Sequence, residues 1–265
     1  NNCNNTLHTM HTHHIYIAAL AAVTAVLGSC ATRYQLTGIS RSRILIDSRY
    51  DATPDAEAAA FVKPFAAQVD STMSPVVGRA ARYLAKGRPE GELSDLLPDI
   101  LLWAAPRFGE KPDFAVYNYG GIRAAIAAGD VSVGDILDVA PFENKICFLS
   151  LKGTKVKELF AQIAGRFGEC VSHGVRLVIG PDSTLISATL HGRPIDDAAT
   201  YRIATLDYVA QGNDGMTAFK AKTDVRAPQD EANNVRYLIM DYFREKAAKG
   251  EEVDCPTEGR ITVRP

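Results

Sequence analysis

Histidine is scarce in most of this sequence. Six histidines are present, and the first four of them are His8, His11, His13 and His14. Only His173 and His191 lie farther along the chain, in unrelated segments. Hydrolytic sites with two metal ions draw on several histidine and carboxylate ligands, which two isolated histidines do not supply. No Ser-His-Asp or Cys-His grouping is apparent either, so we expect no metal ligand and no catalytic residue in this chain.

The sequence also lacks an excess of charge and a cysteine framework. Its 29 Lys and Arg residues nearly balance 31 Asp and Glu residues, giving a net charge of −2. No basic field is therefore available to attract a nucleic acid polymer. The five cysteines show no C-x-x-C spacing, and they are Cys3, Cys30, Cys147, Cys170 and Cys255. The apolar surroundings of Cys147 predict a buried thiol, whereas pairing of Cys170 with Cys255 is left open.

Charged side chains are missing altogether from residues 1–29. The apolar run at residues 15–27 has 13 residues, too few to span a bilayer but enough for the core of a signal peptide. It ends in Leu-Gly-Ser-Cys30, which resembles the bacterial lipobox in which the cysteine is acylated. We expect a signal peptide at 1–29 that starts at Met10, and a lipid-anchored tether at 30–51. The exported protein would face the periplasm, and an ordinary cleavable signal is the alternative.

The most informative stretch is Asn-Tyr-Gly-Gly-Ile-Arg at residues 118–123, which directly follows an apolar run. Gly120 and Gly121 permit a sharp turn and let a ligand approach main-chain N–H groups. Arg123 adds a planar, permanently charged donor suited to carboxylate or phosphate. A helix-like run at residues 124–128 would place its positive dipole end at the same point. The pattern predicts an anion site at a strand-to-helix corner, and the alternative is a tight turn with a solvated arginine.

Two further segments place an aromatic residue where a strand meets a loop. Phe142 and Asn144 belong to Pro-Phe-Glu-Asn at residues 141–144. Tyr208 and Asp214 belong to Tyr-Val-Ala-Gln-Gly-Asn-Asp-Gly at residues 208–215. An isolated aromatic side chain is more often core than ligand platform. Two of them, together with a carboxylate acceptor, are nevertheless compatible with a slot for a nucleobase.

The three segments, in this order and spacing, resemble the C-terminal domain of the 5'-nucleotidase family, which includes UDP-sugar hydrolases and ecto-5'-nucleotidases. The resemblance covers about residues 79–263. It implies that Asn118 and Arg123 hold the substrate, with the arginine chiefly on its phosphate. It also implies that Phe142 and Tyr208 stack on the base and that Asp214 reaches the sugar or base. Gly120, Gly121 and Asn144 enter the predicted binding site as members of the same motifs.

Some positions depart from the family pattern. Asn213 stands where the family usually has glycine, a change that a turn tolerates. Arg88 is the candidate for a second phosphate-binding cation, with Arg82 as the alternative. Ser94 and Asp95 replace the usual Gly-Asn nearby. His173 is expected in a loop near the ligand.

Apolar spacing and turn residues predict alternating helices and strands. Helices are expected at residues 53–73, 92–107, 134–140 and 230–246, and in a segment capped by Thr154. Strands are expected at residues 44–46, 114–118, 146–151, 175–179, 184–190, 202–206 and 261–263. Adjacent hairpin strands mixed with helices indicate an α+β fold, with mixed sheets and flanking helices, in a domain at 52–265.

The resemblance favours a nucleotide-recognition role in phosphate ester hydrolysis. Full-length relatives carry an N-terminal metallophosphoesterase domain of about 300 residues, for which this chain has no room. We therefore expect a separate metallophosphoesterase subunit that holds the divalent metals. A nucleotide- or nucleoside-binding lipoprotein with no hydrolytic role has the same sequence features. A third hypothesis, different chemistry in the same pocket, would need a base or nucleophile that the motifs do not provide.

Overall fold

The computed structural model describes residues 34–264, so Met10, Cys30 and the predicted signal peptide lie outside the described residues. The chain divides into two units, residues 1–56 and residues 57–265. In the described part of the first, a short 3-10 helix at Ser48–Tyr50 begins where Asp47 accepts a hydrogen bond from the Arg49 amide. The strand predicted at residues 44–46 is wrong, because this segment pairs with no strand in residues 34–264. None of the helices in that described range is long and apolar enough to cross a membrane.

The second unit alternates helices with short strands. Its helices are α1 (Ala56–Met73, which begins at the boundary), α2 (Glu92–Ala104), α3 (Val133–Val139), α4 (Gly153–Gly165), α5 (Asp207–Ala210) and α6 (Val235–Ala248). Its strands are β1 (Val76–Ala80), β2 (Phe114–Tyr117), β3 (Gly129–Ser132), β4 (Ile146–Lys152), β5 (Cys170–Val171), β6 (Val175–Ile179), β7 (Leu185–Leu190), β8 (Arg193–Pro194), β9 (Thr200–Leu206), β10 (Thr223–Arg226) and β11 (Ile261–Val263).

A five-stranded sheet forms the centre of this unit, in the order β10-β4-β9-β2-β5. Strands β2 and β9 are parallel, whereas the other neighbours are antiparallel. Every residue of β2 is buried, as its unbroken apolar sequence predicts for a strand covered on both faces. Because β2 and β9 run in the same direction, the segments that follow them emerge at the same edge of the sheet.

The remaining strands form a four-stranded sheet, β11-β6-β7-β8, and the antiparallel pair of β1 with β3. In β6 the burial alternates along the strand, as expected for a sheet with one face on the core. Mixed parallel and antiparallel pairing with flanking helices confirms the predicted α+β class.

The helices largely follow their sequence signals. Ser132 and Asp135 form a capping box at the start of α3, with the Asp135 carboxylate accepting from the Ser132 amide at 2.7 Å. Helix α2 is amphipathic and buries four of its five leucines in the core. The predicted cap by Thr154 is wrong, because α4 begins one residue earlier, at Gly153. Only glycine fits at that position, since a Cβ there would lie 1.8 Å from the Asp196 carbonyl oxygen.

The helix expected directly after Arg123 is absent. Residues 124–128 form no helix, and Ile126 instead exchanges two 2.9 Å backbone hydrogen bonds with Leu84. This bridge takes the amide and carbonyl that a helical turn would use, and Gly129 then enters β3 with a φ of 106°. The helix dipole predicted for the anion site is therefore wrong.

One buried arginine lies among carboxylates beside α2. Arg260 is 1% exposed and makes a bidentate ion pair with Asp99, with an Nη2–Oδ2 distance of 2.7 Å. It also pairs with Glu258 at 2.7 Å and has Asp95 at 3.4 Å from its Nε. Burial raises the pKa of Asp95 to about 9, with its side-chain hydrogen bond to Glu90 adding to the rise and Arg260 opposing it. Asp95 is thus the neutral member of this group, because one guanidinium cannot balance every neighbouring carboxylate.

The three cysteines of the described chain are buried free thiols: Cys147, Cys170 and Cys255. The predicted burial of Cys147 is confirmed, and burial raises its pKa to about 11. The pairing of Cys170 with Cys255, which the sequence left open, is not made. Their pKa values are raised by the same loss of solvation.

Candidate functional site

A cavity of about 340 Å³ opens where the three sequence motifs come together. Its lining residues, which define the motif cavity, are Asn118, Gly120, Arg123, Phe142, Asn144, Tyr208 and Asp214. The volume lies within the range of about 300–1,000 Å³ that small-molecule sites occupy. Seven of the nine residues expected to bind substrate therefore line one cavity, and the two exceptions are Gly121 and Arg88.

The loop after β2 supplies the first wall of the motif cavity. Its backbone forms a 3-10 turn at Tyr119–Gly121, closed by a 3.0 Å hydrogen bond from the Gly121 amide to the Asn118 carbonyl. A Cβ on Gly121 would lie 2.5 Å from Asn118 Oδ1, so this glycine is required by the close approach of the side chain. Gly121 thus contributes by shaping the loop, whereas Gly120 faces the cavity.

Asn118 connects two of the motifs directly. Its Nδ2 donates to Asp214 Oδ2 at 2.6 Å. Its Oδ1 is buried and has no hydrogen-bond partner among the described residues. A buried polar atom left in this way costs roughly 1–3 kcal/mol, a cost tolerated where function requires it. Both the hydrogen bond and the unpartnered oxygen favour a ligand-binding role for this corner of the cavity.

Asp214 is held by an unusual loop backbone. Its φ is 51°, and the flanking Gly212 and Gly215 also have positive φ values, 86° and 74°. Consecutive left-handed conformations are accessible to glycine and, at smaller cost, to aspartate. Asn213, the departure from the family pattern, donates from Nδ2 to the Tyr208 carbonyl at 2.8 Å. This hydrogen bond fixes the loop that joins Tyr208 to Asp214.

The aromatic side chains remain open to solvent. Phe142 is 49% exposed and Tyr208 is 38% exposed, although both line the motif cavity. Side chains of this size are usually buried more deeply, and partly exposed aromatic faces beside a cavity are available to a flat ligand. The backbone of Asn144 holds the Phe142 segment in place, because its carbonyl accepts from the Val235 amide at 2.9 Å.

Arg123 is an exposed cation at the rim. Its backbone amide is fixed to the Val139 carbonyl at 2.9 Å, while its Nη1 reaches the Gly120 carbonyl only at 3.4 Å. Its guanidinium carbon lies 5.9 Å from the centroid of the Phe142 ring. No carboxylate pairs with Arg123 in the part of the chain that the structure describes. The guanidinium is thus free to donate to an incoming anion.

Arg88 lies beside the motif cavity and not among its lining residues. Its guanidinium carbon is 4.2 Å from the centroid of the Tyr119 ring, and its Nη2 donates to Glu169 at 2.6 Å. Arg82, the alternative second cation, is paired instead with Asp254 at 2.9 Å. Ser94, which replaces the glycine usual in the family, has a structural role. Its hydroxyl accepts from the Gly87 amide and donates to the Gly87 carbonyl, which fixes the segment before Arg88.

Glu169 escaped the sequence analysis. It is 3% exposed, and its carboxylate also accepts from the Tyr119 amide at 2.6 Å and from Arg166 Nε at 2.7 Å. The sequence signal that could have indicated this residue is its position between Gly168 and the buried strand β5. An acidic side chain is seldom buried without partners, so a glutamate there predicts a paired carboxylate.

A second, larger cleft of about 620 Å³ contains none of the motif residues. His173 lines this second cleft, with its Nδ1 at 3.1 Å from Asp99 Oδ1, so it does not lie beside the motif residues, where it was expected. Within residues 34–264, no group of three or more His, Cys, Asp or Glu side chains is placed to hold a metal ion.

Comparison with known proteins identifies the family of this chain. The family described as "5'-nucleotidase, C-terminal domain" matches residues 71–221. Protein UshA of Escherichia coli K12 is 36% identical over 118 residues, which are 43% of this chain and 22% of that protein. The trifunctional nucleotide phosphoesterase protein YfkN of Bacillus subtilis is 30% identical over 192 residues, 65% of this chain and 12% of that protein.

Solved structures show the same fold. The 5'-nucleotidase precursor of Thermus thermophilus superposes with a TM-score of 0.66 at 28% identity, covering 81% of this chain and 45% of that one. The Haemophilus influenzae NAD nucleotidase, at 19% identity and a TM-score of 0.59, supports the fold alone. The chain spans less than a quarter of the two curated relatives and less than half of these two structures. With the family profile matching more than half of its length, the chain belongs to the 5'-nucleotidase C-terminal domain family.

Proposed function

We propose that this chain recognises nucleotides for the 5'-nucleotidase-type hydrolysis of phosphate esters in nucleotide catabolism. The observation that carries the proposal is the motif cavity, in which three separate segments bring together two amides, a carboxylate, two aromatic rings and an unpaired arginine. These groups match the parts of a nucleotide: rings for the base, polar acceptors and donors for the sugar, and a cation for the phosphate.

The base would bind between the rings of Phe142 and Tyr208. Stacking on an aromatic ring is worth about 1–3 kcal/mol for each base and tolerates any base, because every base has a π face. Asp214 would accept from a hydroxyl of the sugar or a donor of the base, since Asn118 already occupies its Oδ2 and leaves Oδ1 for the ligand.

The phosphate would be bound by Arg123, with Arg88 as a second cation. Arg123 supplies a guanidinium group that no carboxylate of the described chain occupies. Hydrogen bonds between a guanidinium and a phosphate are short, directional and about twice as strong as neutral ones. The backbone N–H of Gly120 could be approached without a side chain in the way.

The hydrolytic step would depend on a metallophosphoesterase partner. The family implies two divalent metals, but the described residues include no ligand group that fits them, so we derive no metal-dependent step in this chain. The chain would bind and orient the nucleotide while the partner supplies the catalytic metals. We also propose export and attachment to a bacterial membrane through acylated Cys30, on the periplasmic side.

Calorimetry of the full chain with AMP, adenosine and ribose 5-phosphate tests nucleotide recognition. We expect AMP to bind most tightly, because only AMP engages both the rings and the arginine. Equal affinity for AMP and ribose 5-phosphate would remove the base slot. Failure of a metallophosphoesterase to add turnover of bound AMP would leave a nucleotide-binding lipoprotein with no hydrolytic role.

A further inference from the structure

Two arginines share one buried carboxylate next to the motif cavity. Oε1 of Glu169 accepts from Arg88 Nη2 at 2.6 Å and from Arg166 Nε at 2.7 Å. Its other oxygen accepts the Tyr119 amide at 2.6 Å. The Glu169 side chain has no exposed surface, whereas the side chains of Arg88 and Arg166 are 30% and 37% exposed. The carboxylate is therefore an internal anchor, and the cations face outward.

The charges in this cluster do not balance. Two permanently charged guanidinium groups oppose one carboxylate, and no second carboxylate pairs with either arginine within residues 34–264. Lys86 adds a third cation, with its Nζ 4.5 Å from the centroid of the Tyr119 ring. Each guanidinium carries five N–H donors and uses one of them on Glu169, so donors remain for an anion.

The cluster touches two walls of the motif cavity. Tyr119 lies between Asn118 and Gly120, which both line it. On the other side, a Cβ on Gly215 would lie 3.4 Å from Arg166 Cδ and 3.6 Å from its Nη1, and Gly215 directly follows the lining residue Asp214. Arg166 is thus placed between the loop after β2 and the loop that carries Asp214.

The surrounding backbone fixes the cluster. Gly168 has a φ of 104°, and a Cβ there would lie 2.6 Å from the Pro89 carbonyl oxygen, so the segments carrying Glu169 and Arg88 pack directly on each other. A buried carboxylate is costly unless its partners are in place, so the two arginines and Glu169 hold one another in a single arrangement. Anion binding gains from such an arrangement because the donors need no reordering when the ligand arrives.

We propose that Arg166 is an anion-binding side chain of this site, acting with Arg88 on the phosphate of a bound nucleotide. Glu169 is the positioning residue that holds both guanidinium groups and the Tyr119 amide against the motif cavity. The inference rests on the proposed function and adds Arg166 to it as a third phosphate-binding cation, beside Arg123 and Arg88.

The test is the ratio of AMP affinity to adenosine affinity, measured by calorimetry on the full chain. Arg166→Gln is expected to lower the ratio by about tenfold, as loss of a charge-assisted hydrogen bond would, with adenosine affinity nearly unchanged. Arg166→Lys should recover part of the ratio because it keeps the charge. Glu169→Gln should also lower it, because a neutral amide cannot accept from all three donors.

Arg176→Gln is the matched control. Arg176 has a similar exposure, 39%, and a single carboxylate partner, Glu258, but its guanidinium donates to Glu258 and to the Val175 carbonyl and not to Glu169. The inference is overturned if Arg166→Gln and Arg176→Gln give the same ratio as the unsubstituted chain while Arg123→Ala lowers it. If Glu169→Gln fails to fold, the comparison of Arg166→Gln with Arg176→Gln still decides. Absence of binding by the unsubstituted chain would overturn the proposed function and this inference with it.

Discussion

The side-chain amide of Asn118 donates to the carboxylate of Asp214 at 2.6 Å, across 96 residues of sequence. Asn118 follows β2 and Asp214 lies beyond β9, and these two strands are parallel neighbours in the central sheet. The pairing of the strands therefore brings the two loops to one edge. Ligand sites commonly form at such edges, where successive strands deliver polar side chains to one place.

The Asn118–Asp214 pair predicts a specific role for the sugar hydroxyls. Asp214→Ala should weaken adenosine binding by about 1.5–3 kcal/mol, the value of a hydrogen bond to a charged group. The loss should be much smaller for 2',3'-dideoxyadenosine, which lacks the hydroxyls. Calorimetry with both ligands measures the difference, and an equal loss for both would assign Asp214 to the base or to loop structure.

The exposed ring of Tyr208 predicts that stacking, and not its hydroxyl, carries the affinity for the base. Tyr208→Ala should weaken AMP binding by about 1–3 kcal/mol, whereas Tyr208→Phe should change it little. Tyr83, which is 62% exposed and does not line the motif cavity, offers a control in Tyr83→Ala. Unchanged affinity in Tyr208→Ala would remove the base slot from this position.

The buried Asp95 predicts a pH-dependent stability. Its pKa is raised from 3.8 to about 9 in the folded chain, chiefly by burial. Between these two values the folded state keeps a proton that the unfolded state releases. The stability that Asp95 contributes is therefore fully present below pH 3.8 and is lost as the pH rises towards about 9. Asp95→Asn imitates the protonated form, so its advantage in the free energy of unfolding should grow between about pH 5 and pH 9.

Urea unfolding at a series of pH values measures this advantage. Asp99→Asn serves as the contrast, because it removes the bidentate partner of Arg260 and should destabilise the chain. Parallel pH profiles for the unsubstituted chain and Asp95→Asn would show that Asp95 is ionised in the folded state.

The sequence predicted the convergence of three loops better than it predicted their surroundings. The motif residues could be found because glycine, aromatic and amide side chains at strand ends have local signatures. Glu169 could not, because its partners Arg88 and Tyr119 are distant in sequence. Arg166 could not, because its ion pair with Glu169 leaves no periodic pattern. The false helix at residues 124–128 had good local propensity, and a backbone bridge to Leu84 overrode it.

The absence of a metal-ligand group among residues 34–264 leads to a prediction about turnover. The 265-residue chain alone should hydrolyse AMP at no useful rate, since phosphate monoesters are among the slowest substrates to react uncatalysed. Binding the ground state and transition state equally does not speed the chemical step. Turnover should appear when a metallophosphoesterase and a divalent metal are added, and chelator should abolish it. Chelator-sensitive turnover by the chain alone would contradict the prediction, because it would require a metal site in this chain.

The central claim is that the motif cavity binds a nucleotide through separate contacts to its phosphate and its base. The most direct measurement is the affinity of Arg123→Ala for AMP and for adenosine, compared with the unsubstituted chain by calorimetry. We predict a loss of about 1.5–3 kcal/mol for AMP, as for a charge-assisted hydrogen bond, and a much smaller change for adenosine. An equal loss for both ligands, or no loss for AMP, would contradict the assignment of Arg123 to the phosphate.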